Sequence, residues 1–167
     1  MNNKKVRVLP IALWSACVLW GLFIFINSMQ TGSESGQMSG NVTEMINDVL
    51  HIVSPSWNVG HLFVRKAAHF SEFALLALLF CSAYLTIFVP NLCERVPLKR
   101  LYCVLWAFPS AVLVAAIDET IQLFVEGRVG SAVDVLIDSA GAACAVLVFF
   151  MVLALTNRKK KREDQLR

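Results

Sequence analysis

The sequence predicts an all-α polytopic membrane protein: a bundle of four transmembrane helices, with an amphipathic helix in the first outer loop. Hydrophobic residues make up 57% of the 167 residues and charged residues only 16%, whereas soluble domains carry about 25% charged residues. Four apolar segments are long enough to cross a bilayer, which takes about 20 residues. The length fits one domain, which we divide into residues 1–7, a membrane domain at 8–155 and a basic tail at 156–167.

The four predicted spans cover residues 8–26, 62–89, 101–117 and 133–155. The first follows the basic start MNNKKVR and must be distinguished from a cleaved signal peptide. Its apolar stretch is longer than the roughly 7–15 residues of a signal peptide, and no small-x-small cleavage pattern follows it. We therefore interpret the first span as a retained membrane anchor.

The basic residues determine the predicted orientation. Three precede the first span, three lie between the second and third spans, and six follow the fourth. Because short loops rich in Lys and Arg stay in the cytoplasm, we expect a multi-pass protein of the bacterial cytoplasmic membrane with both termini cytoplasmic. The lipid bilayer is the expected partner. Nucleic acid is not, since no basic face with interleaved aromatic residues is present. The oligomeric state is not indicated by the sequence.

The five cysteines form no C-x-x-C pair, and four of them lie in or beside apolar segments. This pattern is typical neither of a disulfide framework nor of a cysteine metal site. We interpret the cysteines as small apolar packing residues.

The long first outer loop, residues 27–60, contains a predicted amphipathic helix. Asn41 and Glu44 have the spacing of a capping box, and the apolar residues after them follow helical spacing. Ser54-Pro55 ends the pattern. This helix suits the surface of the outer leaflet, and a cap over the bundle is an equally good interpretation.

Polar residues recur at the predicted outer ends of the last three spans. They are Arg65, Lys66, His69 and Glu72 on the second, Asp118, Glu119 and Gln122 on the third, Asp134 and Asp138 on the fourth, and Arg128 and Ser131 in the turn between the last two. Spacings of i, i+4 or i+7 put most of them on one stripe of each helix, with Lys66 and Glu119 beside the stripes. An ionisable group at membrane depth costs about 2.5–3.5 kcal/mol, so we expect these groups to face each other across the bundle. Gly141 would let a neighbouring helix approach closely.

Two interpretations of this polar cluster remain open. Arg65, Lys66 and Arg128 are suitable counter-ions for the surrounding carboxylates, which would make the cluster the lining of a pocket. Alternatively, the groups form an ion-pair network that only holds the helices together. The number of groups and their common depth favour the pocket.

The same residues resemble the VanZ-like family of bacterial membrane proteins. The matching motifs are Arg65-Lys66-x-x-His69-Phe70-x-Glu72-Phe73, Asp118-Glu119-x-x-Gln122-x-Phe124-x-x-Gly127-Arg128-x-Gly130-Ser131-x-x-Asp134 and Asp138-x-x-Gly141. Ser28-x-Gln30-x-Gly32-Ser33-x-Ser35 is similar to the family's Ser/Gln-rich exit from the first span. The resemblance covers residues 8–155. It departs at Glu126, where the family often has Pro, and at Asp138, where the namesake branch often has Asn.

The resemblance implies an association with low-level resistance to the lipoglycopeptide teicoplanin, without a comparable effect on vancomycin. Our first hypothesis is a protein that binds or shields an amphiphilic envelope ligand: a lipoglycopeptide, a lipid-linked wall precursor or a lipid. Its candidate ligand-binding residues are Arg65, Lys66, Gln122, Arg128, Ser131, Asp134 and Asp138.

The alternative is an intramembrane hydrolase or transferase that acts on an envelope lipid or wall precursor. Its candidate catalytic residues are His69, Glu72, Asp118 and Glu119, with a carboxylate as base and His69 as acid. A variant of this alternative uses His69, Glu72 and the facing aspartates as metal ligands, but the main expectation is no cofactor and no metal. A transporter is less favoured, because midplane charges are not present.

Overall fold

The computed structural model describes the backbone of residues 3–89 and 97–165, and the side chains of residues 8–89, 99 and 101–156. Its regular elements are all helices: α1 (Asn3–Ser28), α2 (Gly32–Val53), α3 (His61–Phe88), α4 (Pro97–Gln122) and α5 (Ala132–Gln165). Four contain segments long and apolar enough to cross a membrane: Val8–Ser28, His61–Phe88, Leu101–Gln122 and Ala132–Thr156. The predicted all-helical, four-span fold is confirmed.

Most basic side chains that determine the predicted orientation lie outside the described residues. They are Lys4, Lys5, Arg7, Arg95, Arg100 and the basic residues after position 156. Cys93 lies outside them too. The orientation of the chain in the membrane therefore stays a prediction.

The helix between the first two spans begins ten residues earlier than predicted. Thr31 is its N-cap: the Thr31 hydroxyl accepts from the backbone N–H of Glu34, and the Glu34 carboxylate accepts from the backbone N–H of Thr31. The predicted cap at Asn41 is wrong because this complete capping box upstream already begins the helix. Glycines disfavour helix, and those at 32, 36 and 40 concealed the first turns in the sequence. The predicted end is confirmed, with Ser54 as the C-cap.

The third span is longer than predicted. Residues 118–122 continue α4 by more than one turn beyond the apolar segment, so Asp118 and Gln122 lie one above the other on the same helix face. Gln122 Nε2 donates to Asp118 Oδ2 at 3.0 Å. The polar residues therefore belong to the helix and have fixed directions.

Helix α3 is the centre of the bundle and contacts each of the other four helices. Small residues dominate the larger core cluster, which consists of Ala77, Cys81, Ala107, Ala111, Ala142, Ala145 and Val146. Small side chains allow the backbones of neighbouring membrane helices to approach closely. A second cluster of Ile24, Phe73, Leu76 and Ala115 lies closer to the polar residues. Among the described cysteines, Cys17, Cys81 and Cys103 are buried, in keeping with their interpretation as packing residues.

Helices α3 and α5 come closest at Gly141. A Cβ atom at this position would collide with the backbone carbonyl oxygen of Phe70. The close approach that the sequence predicted at Gly141 is confirmed. It brings His69, the neighbour of Phe70, next to Asp138, one turn before Gly141.

Candidate functional site

Four helix ends meet at one end of the bundle, which we call the polar end. It is formed by the last turn of α1, the first turns of α3 and α5, the last turn of α4, and the turn at 123–131. All eleven site residues predicted from the sequence lie here. Eight of them line one cavity of about 220 Å³: Arg65, Lys66, His69, Glu119, Gln122, Arg128, Asp134 and Asp138.

A second, smaller cavity of about 130 Å³ lies between α2 and α3. Arg65, His69 and Arg128 line both cavities and so form the wall between them. Glu72 lines only this second cavity, and its Oε1 accepts from Asn27 Nδ2 at 3.5 Å. Glu72 therefore shares this cavity with His69, whereas Glu119 lines the larger cavity.

The floor of the larger cavity is a buried hydrogen-bond network centred on Asp118. Ser28 Oγ donates to Asp118 Oδ2 at 2.8 Å. Gln122 Nε2 donates to the same oxygen and to Glu119 Oε1 at 3.1 Å. All four side chains are buried. The network fixes both acidic residues of α4 relative to the end of α1.

Glu119 also fixes the start of α5. Its Oε2 accepts from the backbone N–H of Ser131 at 2.9 Å, one of the N–H groups that a helix start leaves unpaired. Gly130 makes this approach possible, because a Cβ atom there would collide with the carbonyl oxygen of Glu119. Ser131 thus contributes its backbone to the site and does not line the cavity.

Arg128 holds the turn at 123–131 against the end of α1. Its Nε donates to the carbonyl of Gln30 at 3.1 Å and its Nη2 to that of Asn27 at 3.0 Å. A cation is favoured at a helix C-terminus, where carbonyls lack partners. Burial lowers the pKa of Arg128, and nearby Arg65 lowers it further. The guanidinium still stays charged, because the usual pKa of arginine is far above neutral.

The described residues contain one Lys/Arg–carboxylate ion pair at this end. Lys66 Nζ lies 2.8 Å from Asp134 Oδ1, and both side chains are partly exposed. Exposed pairs of this kind contribute about 0–1 kcal/mol to stability. Arg65 and Arg128, the other predicted counter-ions, make no ion pair within 4.0 Å among the described side chains. The cluster is therefore not chiefly an ion-pair lock between helices.

Several polar atoms in the site have no hydrogen-bond partner among the described residues. They are His69 Nδ1, Asp118 Oδ1, Arg128 Nη1 and both carboxylate oxygens of Asp138. Such buried atoms are uncommon and call for an explanation. They separate into donors beside Arg65 and acceptors around Asp138, which gives the site two chemically distinct parts.

Sequence reasoning missed the contribution of α1 to the site. Ser28 and Asn27 hold acidic side chains, Gln30 holds Arg128, and Trp20 Nε1 donates to the carbonyl of Glu72 at 3.0 Å. The segment Ser28-x-Gln30 carried the resemblance, but its partners lie about 90 or more residues away in the chain. No local pattern identifies such partners.

A protein-family model described as VanZ/LLP1 matches residues 13–154. The chain belongs to the VanZ/LLP1 family. The match includes every candidate site residue and nearly all of the four spans, and it confirms the resemblance predicted from the motifs. No curated protein and no solved structure matches the chain. What this VanZ/LLP1 protein binds must therefore be argued from its own geometry.

Proposed function

We propose that this protein binds the anionic headgroup of an amphiphilic envelope molecule in the larger cavity, with the polar end facing outward. One observation carries the proposal: two arginines at this cavity have unused donors. Arg65 makes no hydrogen bond or ion pair among the described side chains, and Arg128 Nη1 is buried without a partner. Unpaired guanidinium groups suit phosphate and carboxylate, which they hold with short charge-assisted hydrogen bonds.

The dimensions of the cavity favour a headgroup over a whole ligand. Its volume of about 220 Å³ is below the roughly 300–1,000 Å³ of pockets that enclose a drug-sized molecule. Leu62, Val129 and Ile137 contribute apolar lining beside the polar residues. A molecule with a compact charged group and an attached hydrocarbon chain fits this lining, because the chain stays in the bilayer.

Helix α2 supports the same interpretation. Its exposed apolar residues follow helical spacing: Met38, Val42, Met45, Ile46, Val49, Ile52 and Val53. Thr43 is its one buried residue. Met38 and Val42 line the cavity between α2 and α3. The later residues of the stripe line neither cavity and suit the membrane interface, which favours the interfacial helix over a cap on the bundle. An amphiphile would meet α2 and the cavity at the same depth.

The ligand classes that combine these features are an acylated glycopeptide such as teicoplanin, a lipid-linked wall precursor and an anionic phospholipid. Resistance to teicoplanin would follow if the bound antibiotic is kept away from its target. Vancomycin is the matched comparison, because the expected resistance is selective for the lipoglycopeptide.

Binding to the purified full chain in nanodiscs tests the proposal. The probes are teicoplanin, a polyprenyl phosphate and phosphatidylglycerol, with vancomycin and phosphatidylcholine as comparisons. We expect at least one anionic amphiphile to bind, and Arg65→Ala to weaken that binding about ten-fold or more, the loss of one charge-assisted hydrogen bond. Arg65→Lys should retain part of the affinity, since lysine keeps the positive charge but lacks the planar guanidinium group with its paired donors.

The control variant is Lys99→Ala, at the opposite end of the bundle. It removes a positive charge from the same protein and should leave binding unchanged. Equal binding by wild type, Arg65→Ala and Lys99→Ala would reject the proposed site. Binding to none of the three anionic probes would reject the proposed ligand chemistry.

The alternative function is an intramembrane hydrolase or transferase on the same class of substrate. It is favoured by the positions of His69 and Glu119, which line the same cavity as Arg65. A histidine and a glutamate can serve as the acid and the base of such a reaction. Such groups typically contribute 10²–10⁴-fold to a rate. Mass spectrometry of the probes after incubation distinguishes the alternatives. A probe that is chemically changed by the wild type but not by Glu119→Gln indicates an enzyme. Probes that bind without chemical change indicate a binding protein.

A further inference from the structure

The acceptor part of the site has a geometry of its own. One ligand-type atom from each of His69, Asp118 and Asp138 lies within 4.8 Å of the other two. Asp118 and Asp138 are 0% and 1% exposed. His69 Nδ1, Asp118 Oδ1 and both oxygens of Asp138 have no hydrogen-bond partner in the described part of the chain. We infer that these three side chains bind a divalent metal cation.

Charge balance supports a cation at this point. A buried charge is strongly unfavourable unless it is paired. Two buried carboxylates converge here: Asp138 has no hydrogen-bond partner among the described residues, and Asp118 is bonded through one oxygen only. None of the nearby cations pairs with these two aspartates within 4.0 Å among the described side chains: Lys66 pairs with Asp134, and Arg65 and Arg128 make no ion pair. A divalent cation would neutralise both aspartates and satisfy their free oxygens together.

Protonation alone does not satisfy the same atoms. A protonated carboxyl group must donate its hydrogen, and neither oxygen of Asp138 has an acceptor within hydrogen-bond distance among the described residues. His69 Nδ1 lies 4.0 Å from Asp138 Oδ1. That separation exceeds a hydrogen bond, and a metal ion bound by both atoms would draw them closer together.

The surroundings of Asp118 are those of a positioned metal ligand. Ser28 and Gln122 both donate to its Oδ2, which leaves Oδ1 without a partner among the described residues. Metal-binding carboxylates are commonly held by such hydrogen bonds, which fix their orientation. The hydrogen bonds from Ser28 and Gln122 would therefore orient Asp118 as a metal ligand, a role beyond the packing of the helices.

The ligand set identifies the class of metal. One imidazole nitrogen with two carboxylates suits Zn²⁺ or Mn²⁺ better than Ca²⁺ or Mg²⁺, which prefer oxygen ligands alone. Ligand atoms around tetrahedral Zn²⁺ lie about 3.4 Å apart, so the three side chains would close by roughly 1 Å on binding. His69 and Asp138 also line the larger cavity, so one coordination position would open towards it.

This proposal revises the expectations from the sequence. The absence of a metal was the main expectation, and the variant with a metal used Glu72. Glu72 instead contacts Asn27, and Asp118 completes the cluster. The metal site does not depend on the proposed amphiphile. The metal would be bound by the acceptor atoms of His69, Asp118 and Asp138, whereas the amphiphile would be bound by the donor groups of Arg65 and Arg128.

Metal binding by the purified full chain tests the inference directly. The protein is treated with a chelator in detergent, and Zn²⁺, Mn²⁺, Mg²⁺ or Ca²⁺ is then titrated by calorimetry, with metal content measured by mass spectrometry. We expect one Zn²⁺ or Mn²⁺ per chain, a raised Tm, and at least about 100-fold weaker binding by Asp138→Asn and Asp118→Asn. X-ray absorption at the metal edge should show one nitrogen and two oxygen ligands from the protein.

Two control variants separate this site from adventitious binding. Asp134→Asn removes an acid one turn away on the same helix and should retain the metal. The double variant His51→Ala/His61→Ala removes the other two histidines of the chain and should also retain the metal. No metal bound by folded wild-type protein would overturn the inference, as would affinity unchanged in both Asp118→Asn and Asp138→Asn.

Discussion

Arg128 Nη2 donates a hydrogen bond of 3.0 Å to the backbone carbonyl of Asn27, across 101 residues of sequence. Its Nε donates to the carbonyl of Gln30. The two carbonyls lie at the end of α1, where the helix itself supplies no donors. One side chain thus joins the first span to the turn between the last two, and the polar end of the bundle depends on that connection.

Replacing Arg128 should therefore lower stability. Arg128→Ala leaves two carbonyls without donors, and we expect a loss of about 1–3 kcal/mol in the free energy of unfolding. Arg128→Lys should lose nearly as much, because a single ammonium does not reproduce the planar fork. Thermal unfolding in detergent, followed by circular dichroism, measures both. Arg65→Ala is the control, since Arg65 has no described partner; equal losses for both arginines would contradict the connection.

The contact between α3 and α5 predicts a second loss of stability. Gly141→Ala places a methyl group against the carbonyl of Phe70, and overpacking of this kind costs about 1–3 kcal/mol. Gly21→Ala is the matched control, because a Cβ atom there meets nothing within 4 Å and alanine has the higher helix propensity. We expect Gly141→Ala to lower the Tm and Gly21→Ala to maintain or raise it. The reverse order would show that the helices are not this close.

The hydrogen bond from Ser28 to Asp118 predicts a third loss of stability. Ser28→Ala removes a donor from a buried carboxylate, which should cost about 1–3 kcal/mol. Ser71→Ala is the comparison, because Ser71 is exposed and donates to the Ala67 carbonyl of its own helix; its effect should be small. Combining Ser28→Ala with Asp118→Ala, which removes the acceptor, in a double-mutant cycle isolates the pair. An interaction energy near zero would exclude the bond.

The start of α2 should depend on pH. The hydrogen bonds from the Thr31 backbone and side chain lower the pKa of Glu34 below its usual value. Glu34 therefore stabilises the helix start fully above its unfolded pKa of about 4.3, and this stabilisation is lost as the pH falls through the lower folded pKa. Hydrogen exchange of the first α2 amides, corrected for intrinsic rates, should show less protection below this range. Glu34→Gln should remove that change and Glu44→Gln should not; persistence in Glu34→Gln would contradict the cap.

The orientation can be tested with reporter fusions. Because basic residues dominate the loops on one side, we expect green fluorescent protein fused after residue 167 to fluoresce in the cytoplasm. Alkaline phosphatase fused after Ser56, in the loop between α2 and α3, should be active outside. Alkaline phosphatase at the C-terminus is the control and should be inactive. The opposite pattern would turn the polar end towards the cytoplasm and reject binding from the outer leaflet.

The sequence by itself determined the four spans and the collection of polar residues at one end. Both depend on short-range information: about 20 apolar residues cross a bilayer, and residues four apart share a helix face. Its largest boundary error was the start of α2, where the capping box of Thr31 and Glu34 begins the helix within a glycine-containing segment that does not look helical in the sequence. A capping box is also local, so a wider search upstream of Asn41 finds it.

Only the tertiary structure decided which polar atoms meet. Glu72 and His69 are three residues apart on α3, yet Glu72 contacts α1 while His69 faces Asp138 on α5. Asp118 joins His69 and Asp138 because Gly141 lets α5 approach α3 and because Ser28 fixes one oxygen of Asp118. These distances follow from how the helices cross, and helix crossing is determined by side chains far apart in the chain.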